Sequence, residues 1–488
     1  MARISAEAPG ASSPTLLDRA LVLRGAPREL WVIYLVKVLE IAAYGLMTGT
    51  VVLWLSSDLG FSDAAAGDVY TWWSSITTVA VLLVGALTDT VGIKRSFLLG
   101  FSICLVTRTV LVASTDPWVA IPFGLLPSAV GLALMSPVMV TAVKAYTTPA
   151  QRALAFSLFY TLVNVGYAIA GWTFDAVRGA LGEYGTTSLF GVELTAYRVL
   201  LLVALGLTVP GLLLTRFFLR DGVTMTEEGL RIDPPRAGPG SALTAVRRTA
   251  VETVRTFAAV WREKTFYKFL AFLALVVGVR LVFYHMQVTF PKFAIRELGE
   301  GAPIGQLWGM LNPLLIVVLV PLVGALTGRI SSYAMVLAGT AISAASVLLL
   351  AIDPAVFQPL ADGWLGDLVA RRWLGVEGAV NPWYVSIALF AVLLSVGEAF
   401  WSPRLYEYTA AVAPKGKVGS YMALSLLPYF LAQFGVGMLS GRLLAAYVPA
   451  EGARDPATLW LIVAAMAAVC PIGLLAFRRW LRVPEEGR

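Results

Sequence analysis

Val84-Gly85-Ala86-Leu87-Thr88-Asp89-Thr90-Val91-Gly92-Ile93-Lys94-Arg95 joins two long apolar runs and packs a carboxylate, two glycines and two cations into the connection. Gly85 has no side chain and lets two helices approach closely, and Gly92 permits a tight turn with positive φ. Asp89, next to an apolar run of membrane-spanning length, is placed to pair with a basic residue or a helix N-terminus elsewhere in the chain. A charged turn of this kind is what a chain needs where it leaves lipid and re-enters it.

The composition agrees with that reading. Hydrophobic residues make up 58% of the 488 positions and charged residues only 14%, and the mean hydropathy is +0.77. A soluble domain carries roughly 25% charged residues to solvate its surface. Much of this surface therefore faces lipid. The net charge of +7 comes from basic residues scattered between apolar runs, with no basic stripe of the kind that binds nucleic acid. Cys104 and Cys470 both lie inside apolar runs, so neither a disulfide framework nor a metal site is expected. The polar stretch from Met1 to Arg28 is not followed by a cleavable signal segment.

Lipid offers the backbone no hydrogen-bond partners, so apolar runs of about 20 residues read as helices. About twelve such runs occur, near 30–57, 65–88, 95–115, 117–146, 153–178, 196–217, 265–291, 305–328, 333–352, 382–412, 419–448 and 457–480. The expected fold is an all-α membrane protein of two six-helix bundles. Its parts are a tail over 1–28, a first bundle over 29–217, a linker over 218–264, a second bundle over 265–480 and a tail over 481–488. An interfacial helix over 241–264 and an interfacial aromatic segment from Trp364 to Trp373 are further expectations. Lys94, Arg95, Lys144, Arg152, Arg216, Arg220, Lys415, Lys417 and most basic residues of the linker fall on one side, which places both termini in the cytoplasm.

The halves look related. Val84 to Asp89 closes the second run, and the similar Val323-Gly324-Ala325-Leu326-Thr327-Gly328 closes the eighth. Ser136-Pro137 in the fourth run has a counterpart in Ser402-Pro403 of the tenth. A parallel repeat of this kind places a binding site near mid-membrane between the halves.

The loop motif resembles the signature of the major facilitator superfamily, whose members carry solutes across membranes. The resemblance implies a gate built on Gly85, Asp89, Gly92, Lys94 and Arg95, in which an Asp89 contact to the other half favours the outward-open state. Gly397-Glu398-Ala399-Phe400-Trp401-Ser402-Pro403, Phe156 to Tyr160 with Asn164-Val165-Gly166, Leu311-Asn312-Pro313 with Pro321, and Tyr44-Gly45 are similar, in order, to motifs of the proton-dependent oligopeptide transporters. That likeness implies that Asn164 and Glu398 hold a solute's amino group and that Tyr70 is a pocket residue. The chain departs from the pattern where the family carries two glutamates and an arginine in the first helix and a lysine in the fourth. Val36, Leu39, Glu40 and Ser136 stand there. The family's carboxylate-gripping and proton-coupling roles therefore do not carry over to those positions.

Ionisable groups inside spans cost about 2.5–3.5 kcal/mol each on insertion scales, and persist where they pair or line a watery cavity. Lys37 and Glu40 are three apart, share a helix face and can pair. Glu398 has no oppositely charged neighbour three or four residues away and needs a partner from another helix, a proton or a ligand. Arg280 and the single histidine, His285, lie in the seventh run, with Gln287 after them. Arg108 and the Arg404/Glu407 pair also lie within runs. The expected solute site is Tyr44, Tyr70, Asn164, Gln287, Glu398 and Trp401, with Lys37, Glu40, Arg280, His285 and Glu398 as charge-pair or proton-coupling groups.

The function expected is secondary active transport of a peptide-like or amine-bearing solute by alternating access in a bacterial inner membrane. A proton gradient drives it, without metal or cofactor, and the protein works as a monomer. An exporter of drugs or metabolites on the same fold and a non-transporting sensor are the alternatives. No nucleophile–base pair, phosphate loop or metal spacing suggests an enzyme.

Overall fold

The computed structural model describes residues 22–189, 191–233, 251, 264–327, 329–412 and 427–481. Ten helices among these residues are long and apolar enough to cross a membrane, with mean hydropathy from 1.6 to 2.4. In chain order the helices are α1 (Arg28–Ser57), α2 (Asp63–Val91), α3 (Ile93–Ala113), α4 (Pro117–Ala145), α5 (Pro149–Leu181) and α6 (Ala196–Phe218). After the linker come α7, in two pieces (Lys264–Val288 and Phe290–Leu298), α8 (Gln306–Leu326), α9 (Ser332–Ala351), α10 (Trp383–Val412), α11 (Leu427–Tyr447) and α12 (Pro456–Ala476). The protein is an integral membrane protein of two six-helix bundles.

Two helices break for the same reason. In α4, regular helix stops at Ala133 and restarts at Ser136. Pro137 has no N–H for the Ala133 carbonyl, and its ring crowds that oxygen. The apolar run at 117–146, read as one span, is thus one span with a kink. In α7, the break at Thr289 precedes Pro291, which stands in the same relation to Gln287. The second piece of α7 runs to Leu298, beyond the 291 expected, because its charges Lys292 and Arg296 find partners. The turn at Gly92 has φ 89°, in the left-handed region, as anticipated for that glycine. The side chain of Asp89 lies outside the described residues, and with it the gate contact expected there.

Among the described residues the loops hold two hairpins that hydropathy does not reveal. β1 (Thr186–Leu189) pairs antiparallel with β2 (Val192–Thr195) between α5 and α6. β3 (Val223–Thr226) pairs with β4 (Gly229–Ile232) in the segment read as plain linker, where Val223-Thr224-Met225-Thr226 meets a Glu227-Glu228-Gly229 turn. The helix expected over 241–264 falls almost entirely outside the described residues. The Trp364–Trp373 segment forms short helical turns between α9 and α10.

Within the first bundle α1 packs on α5 and α6, and α2 and α3 on α4; within the second, α9 packs on α10 and α12, and α7 on α11 and α12. The bundles meet along two crossings, α2 on α11 and α5 on α8. A pseudo-twofold that exchanges α2 with α8 and α5 with α11 exchanges these two contacts, in keeping with the internal repeat. Both crossings are glycine on glycine. A Cβ on Gly67 would sit 2.5 Å from the Gly437 carbonyl oxygen, and one on Gly171 would sit 2.5 Å from that of Gly305. Both lie toward the end of the molecule that carries residues 58–62, 182–195 and 448–455, called here the distal end. The opposite end, where the linker joins, is the linker end.

Candidate functional site

The site is built on one face of α1. Lys37, Glu40, Ile41 and Tyr44 recur at helical spacing and line a cavity of about 320 Å³. The first bundle adds Thr77, Ser136 beside the α4 kink, and Tyr167 of α5; the second adds Tyr284 of α7 and Gln433 of α11. The same α1 face continues as Gly45, Thr48 and Gly49 into a narrower apolar slot of about 90 Å³, walled by Phe174, Met286, Phe290 and Trp308. Tyr167 borders both spaces, and its ring stands edge-on to Tyr44 at 6.5 Å.

Lys37 Nζ donates to Glu40 Oε2 at 3.0 Å, and both side chains are about 95% buried, with 5% and 4% exposed. Lys37 also lies over the Phe159 ring, 5.4 Å from its centre. Two charges removed from bulk water in a cavity interact strongly with anything polar that enters.

A second polar cluster lies inside the second bundle. Asn312 Nδ2 donates to Glu398 Oε2 at 3.1 Å and to Ser395 Oγ at 2.9 Å. Of the partners open to Glu398, namely another helix, a proton or a ligand, Asn312 of α8 supplies the first as a neutral hydrogen-bond donor. Arg280 stacks on the Trp401 ring at 4.3 Å, and its charge acts on Glu398.

The remaining expected residues are distributed as follows. Gln287 lines the apolar slot. Asn164 is buried and donates to the Tyr160 carbonyl of its own helix at 2.9 Å. Tyr70 is fully buried against Trp73, with ring centres 5.7 Å apart, and Trp73 donates to Ser128. His285 is buried with Nδ1 2.7 Å from Thr289 Oγ1, next to the α7 break. Arg108 ties α1, α3 and α6 through Met47 Sδ, the Ala204 carbonyl and Thr208. The structure thus brings together Lys37, Glu40 and Tyr44, keeps Glu398, Arg280 and Trp401 as a neighbouring group, and leaves Glu398, Asn164, Tyr70 and Trp401 off the lining of the central cavity. Lys94 and Arg95 follow Gly92 at the linker end, half-buried and exposed respectively. Tyr167, Tyr284 and Gln433 join the site without any motif to mark them.

Distal to the cavity the bundles are clasped. Asp63 of α2 accepts from Lys292 and Arg296 of the second α7 piece, each at 2.8 Å. Asp68 accepts from Arg442 of α11 at 2.9 and 3.2 Å. Asp175 of α5 accepts from the backbone N–H of Gly305 (2.8 Å) and Gln306 (2.6 Å) at the start of α8. Glu183, in the loop after α5, binds Arg178 and Tyr197 and accepts from the Gly301 N–H at 2.9 Å. Burial raises the Glu183 pKa, but its bonds to Arg178, Tyr197 and Gly301 outweigh that and hold it below the usual 4.5.

The fold is shared with solved transporters. A peptide transporter POT in complex with sulfate superposes with TM-score 0.67 at 17% identity, over 95% of this chain and 98% of that one. A POT family transporter in complex with 5-aminolevulinic acid gives 0.68 at 15% identity, over 94% and 97%. A structure described as giving insights into substrate recognition in proton dependent oligopeptide transporters gives 0.62 at 20%, over 93% and 98%. At such identities the likeness speaks for the fold. No curated protein sequence matches the chain. Residues 33–357 match the Major Facilitator Superfamily profile, and a match over more than half of the sequence, on this fold, makes the chain a member of that superfamily.

Proposed function

We infer that the protein is a proton-driven secondary transporter that moves a small peptide-like or amine-bearing solute by alternating access. The observation that carries this reading is the cavity at the seam of the bundles, holding a desolvated Lys37–Glu40 pair and lying beneath a ring of cross-bundle clasps. Releasing the clasps exposes the cavity distally, and re-forming them shuts it. Glu398, hydrogen-bonded to Asn312 and set back from the cavity, is the group assigned to carry the proton. The basic residues gathered at the linker end support an orientation with both termini in the cytoplasm of a bacterial cell.

The test is uptake into proteoliposomes under an imposed pH gradient. With the outside more acid than the lumen, wild-type protein acting as a proton symporter accumulates an amine-bearing solute whichever way it is inserted, and Glu398→Gln loses accumulation driven by the gradient. Unchanged gradient-driven uptake by that variant removes Glu398 from the coupling. Depletion of the same solute from expressing cells would reassign the direction to export.

A further inference from the structure

We propose that the outward-facing groove between α9 and α12 is a binding site for an anionic phospholipid, with one acyl chain laid along the groove and the head group held by Arg478, Arg479 and Arg329. The inference stands apart from the transport reading above and does not depend on the central cavity.

The groove follows from side-chain length. Ala338, Ala341 and Ala345 of α9 and Ala465 and Ala468 of α12 recur at helical spacing on the outer side of the second bundle. Methyl groups are too short to fill the space between two packed helices, and a trough of about 780 Å³ is left open to the outside. Larger side chains stand exposed at its rims, Leu348 and Leu461 at the distal end and Ile472 and Leu475 at the linker end. Every lining residue is apolar. From Ala334 to Leu348 the trough runs about 21 Å along the helix, against roughly 15 Å for the hydrocarbon of one leaflet. An extended hydrocarbon chain has that shape and that chemistry, and the bilayer supplies it.

The two ends decide which lipid. At the linker end the Tyr333 hydroxyl donates to the Leu474 carbonyl and pins the start of α9 to the end of α12. Arg478 lies close enough to Tyr333 for its charge to act on that ring, and Arg479 follows it on the short turn Arg478–Leu481. Both are exposed, as is Arg329 just before α9 at the same surface. Trp480, 43% exposed on the same turn, marks the depth at which indole rings meet lipid head groups. Among the described residues no carboxylate pairs with these arginines. Guanidinium groups set over an apolar trough match a phosphate set over an acyl chain. The distal mouth has the opposite character. Asp353 and Asp455 cap the turn after α9 and the start of α12, and Arg454 is taken up by the carbonyls of Pro449, Ala450 and Arg296. An anionic head group is therefore drawn to the linker end.

The same charges speak against a second copy of the chain as the occupant. Copies in one membrane share an orientation, so a symmetric contact through this face would set both groups of arginines against each other at one surface.

The experiment places the full chain in phosphatidylcholine vesicles containing a little phosphatidylglycerol with a photoactivatable diazirine in one acyl chain, and maps the labelled peptides by mass spectrometry. Phosphatidylglycerol should label residues 334–348 and 461–475 at least about tenfold more than equally tagged phosphatidylcholine does, the preference that two or three basic residues at a head group confer. The exposed side of α3 around Val106 should label alike with both lipids. Arg329→Gln/Arg478→Gln/Arg479→Gln should bring phosphatidylglycerol labelling down to the phosphatidylcholine level, with the melting temperature in detergent unchanged. Ala341→Phe, which fills the trough and leaves the charges in place, should abolish the enrichment at both stretches. Even labelling around the molecule, or enrichment that survives either variant, overturns the proposal. So does efficient disulfide formation between copies of Ala338→Cys, since the native cysteines are buried and such a bond would make this face a contact between chains.

Discussion

The α2–α11 and α5–α8 crossings have one geometry and two chemistries. Each presses glycine on glycine at the distal end, and each brings a carboxylate to the N-terminal turn of a helix, where the helix dipole favours negative charge. At the first crossing the carboxylates Asp63 and Asp68 belong to α2 itself, and their oxygens reach cations of the other bundle. At the second, α8 receives its carboxylate from the partner helix, and Asp175 binds two backbone N–H groups directly. Pseudo-symmetry fixes how closely the bundles approach but not what holds them. The ion pairs of the first crossing respond to salt and to side-chain motion, whereas the backbone cap of the second is shielded and depends on the α8 N-terminus staying formed.

Spin labels on Ser188→Cys and Glu377→Cys, both exposed in distal loops, report the separation of the bundles, since the native Cys104 and Cys470 are buried. Asp175→Ala should have the largest effect. It strips the partly buried α8 N–H groups of their acceptor, costing the closed form about 3 kcal/mol, with roughly 1–3 kcal/mol for each orphaned group. The distance distribution should move to longer values, and an unmoved distribution would mean the cap holds nothing. Gly67→Ala comes next. Its Cβ cannot share space with the Gly437 carbonyl, and overpacking of this kind costs about 1–3 kcal/mol. If the distance distribution of this variant equals wild type, the crossing does not need bare backbone.

The Glu183 clasp sharpens the contrast through pH. A carboxylate whose folded pKa is depressed contributes stability above its unfolded value of 4.5, and that stability is lost as pH falls through the lower folded value. The share of closure that Glu183 supplies, read as the difference between wild type and Glu183→Gln, should therefore be constant between pH 5 and 8 and be lost only in stronger acid. A difference that shrinks near neutrality would show that Arg178 and Gly301 do not hold the group ionised. The smallest effect belongs to Asp68→Asn. Its pair with Arg442 is about half exposed, at 42% and 50%, so the change stays within about 1 kcal/mol and vanishes in high salt.

How legible the molecule is from its sequence depends on how far apart the interacting residues lie. The helices and the Lys37–Glu40 pair follow from spacing within a single element, which helical periodicity exposes directly. The α4 kink is foreshadowed by Ser136-Pro137, since proline acts on the turn before it. Asn312 and Glu398 both sat in recognisable motifs, but their contact comes from the packing of α8 on α10. Asp175 and Gly305 are separated by 130 positions, and no local pattern announces that one caps the other. Tyr284 and Gln433 are ordinary residues of apolar helices until the bundles meet. Likeness to the family assigns Glu398, Asn164 and Tyr70 to one cavity, whereas the fold turns Asn164 onto its own helix, sets Tyr70 at the seam beside Gln433 and puts Glu398 inside the second bundle.

The interruption of α7 at Thr289 divides labour along one helix. Arg280 and Tyr284 ride on the long segment, and Lys292 and Arg296 ride on a stub of nine residues. Proline at 291 has already cancelled one rung of the ladder there, so swinging the stub gives up no bond at that rung. Among the described residues only the bonds Thr289 N–H to His285 O and Phe293 N–H to Thr289 O bridge the interruption, so the distal latch is tied to the chamber wall more loosely than along continuous helix. If the protein works by alternating access as inferred above, freezing Thr289 into continuous helix should slow release of the latch without altering the chamber.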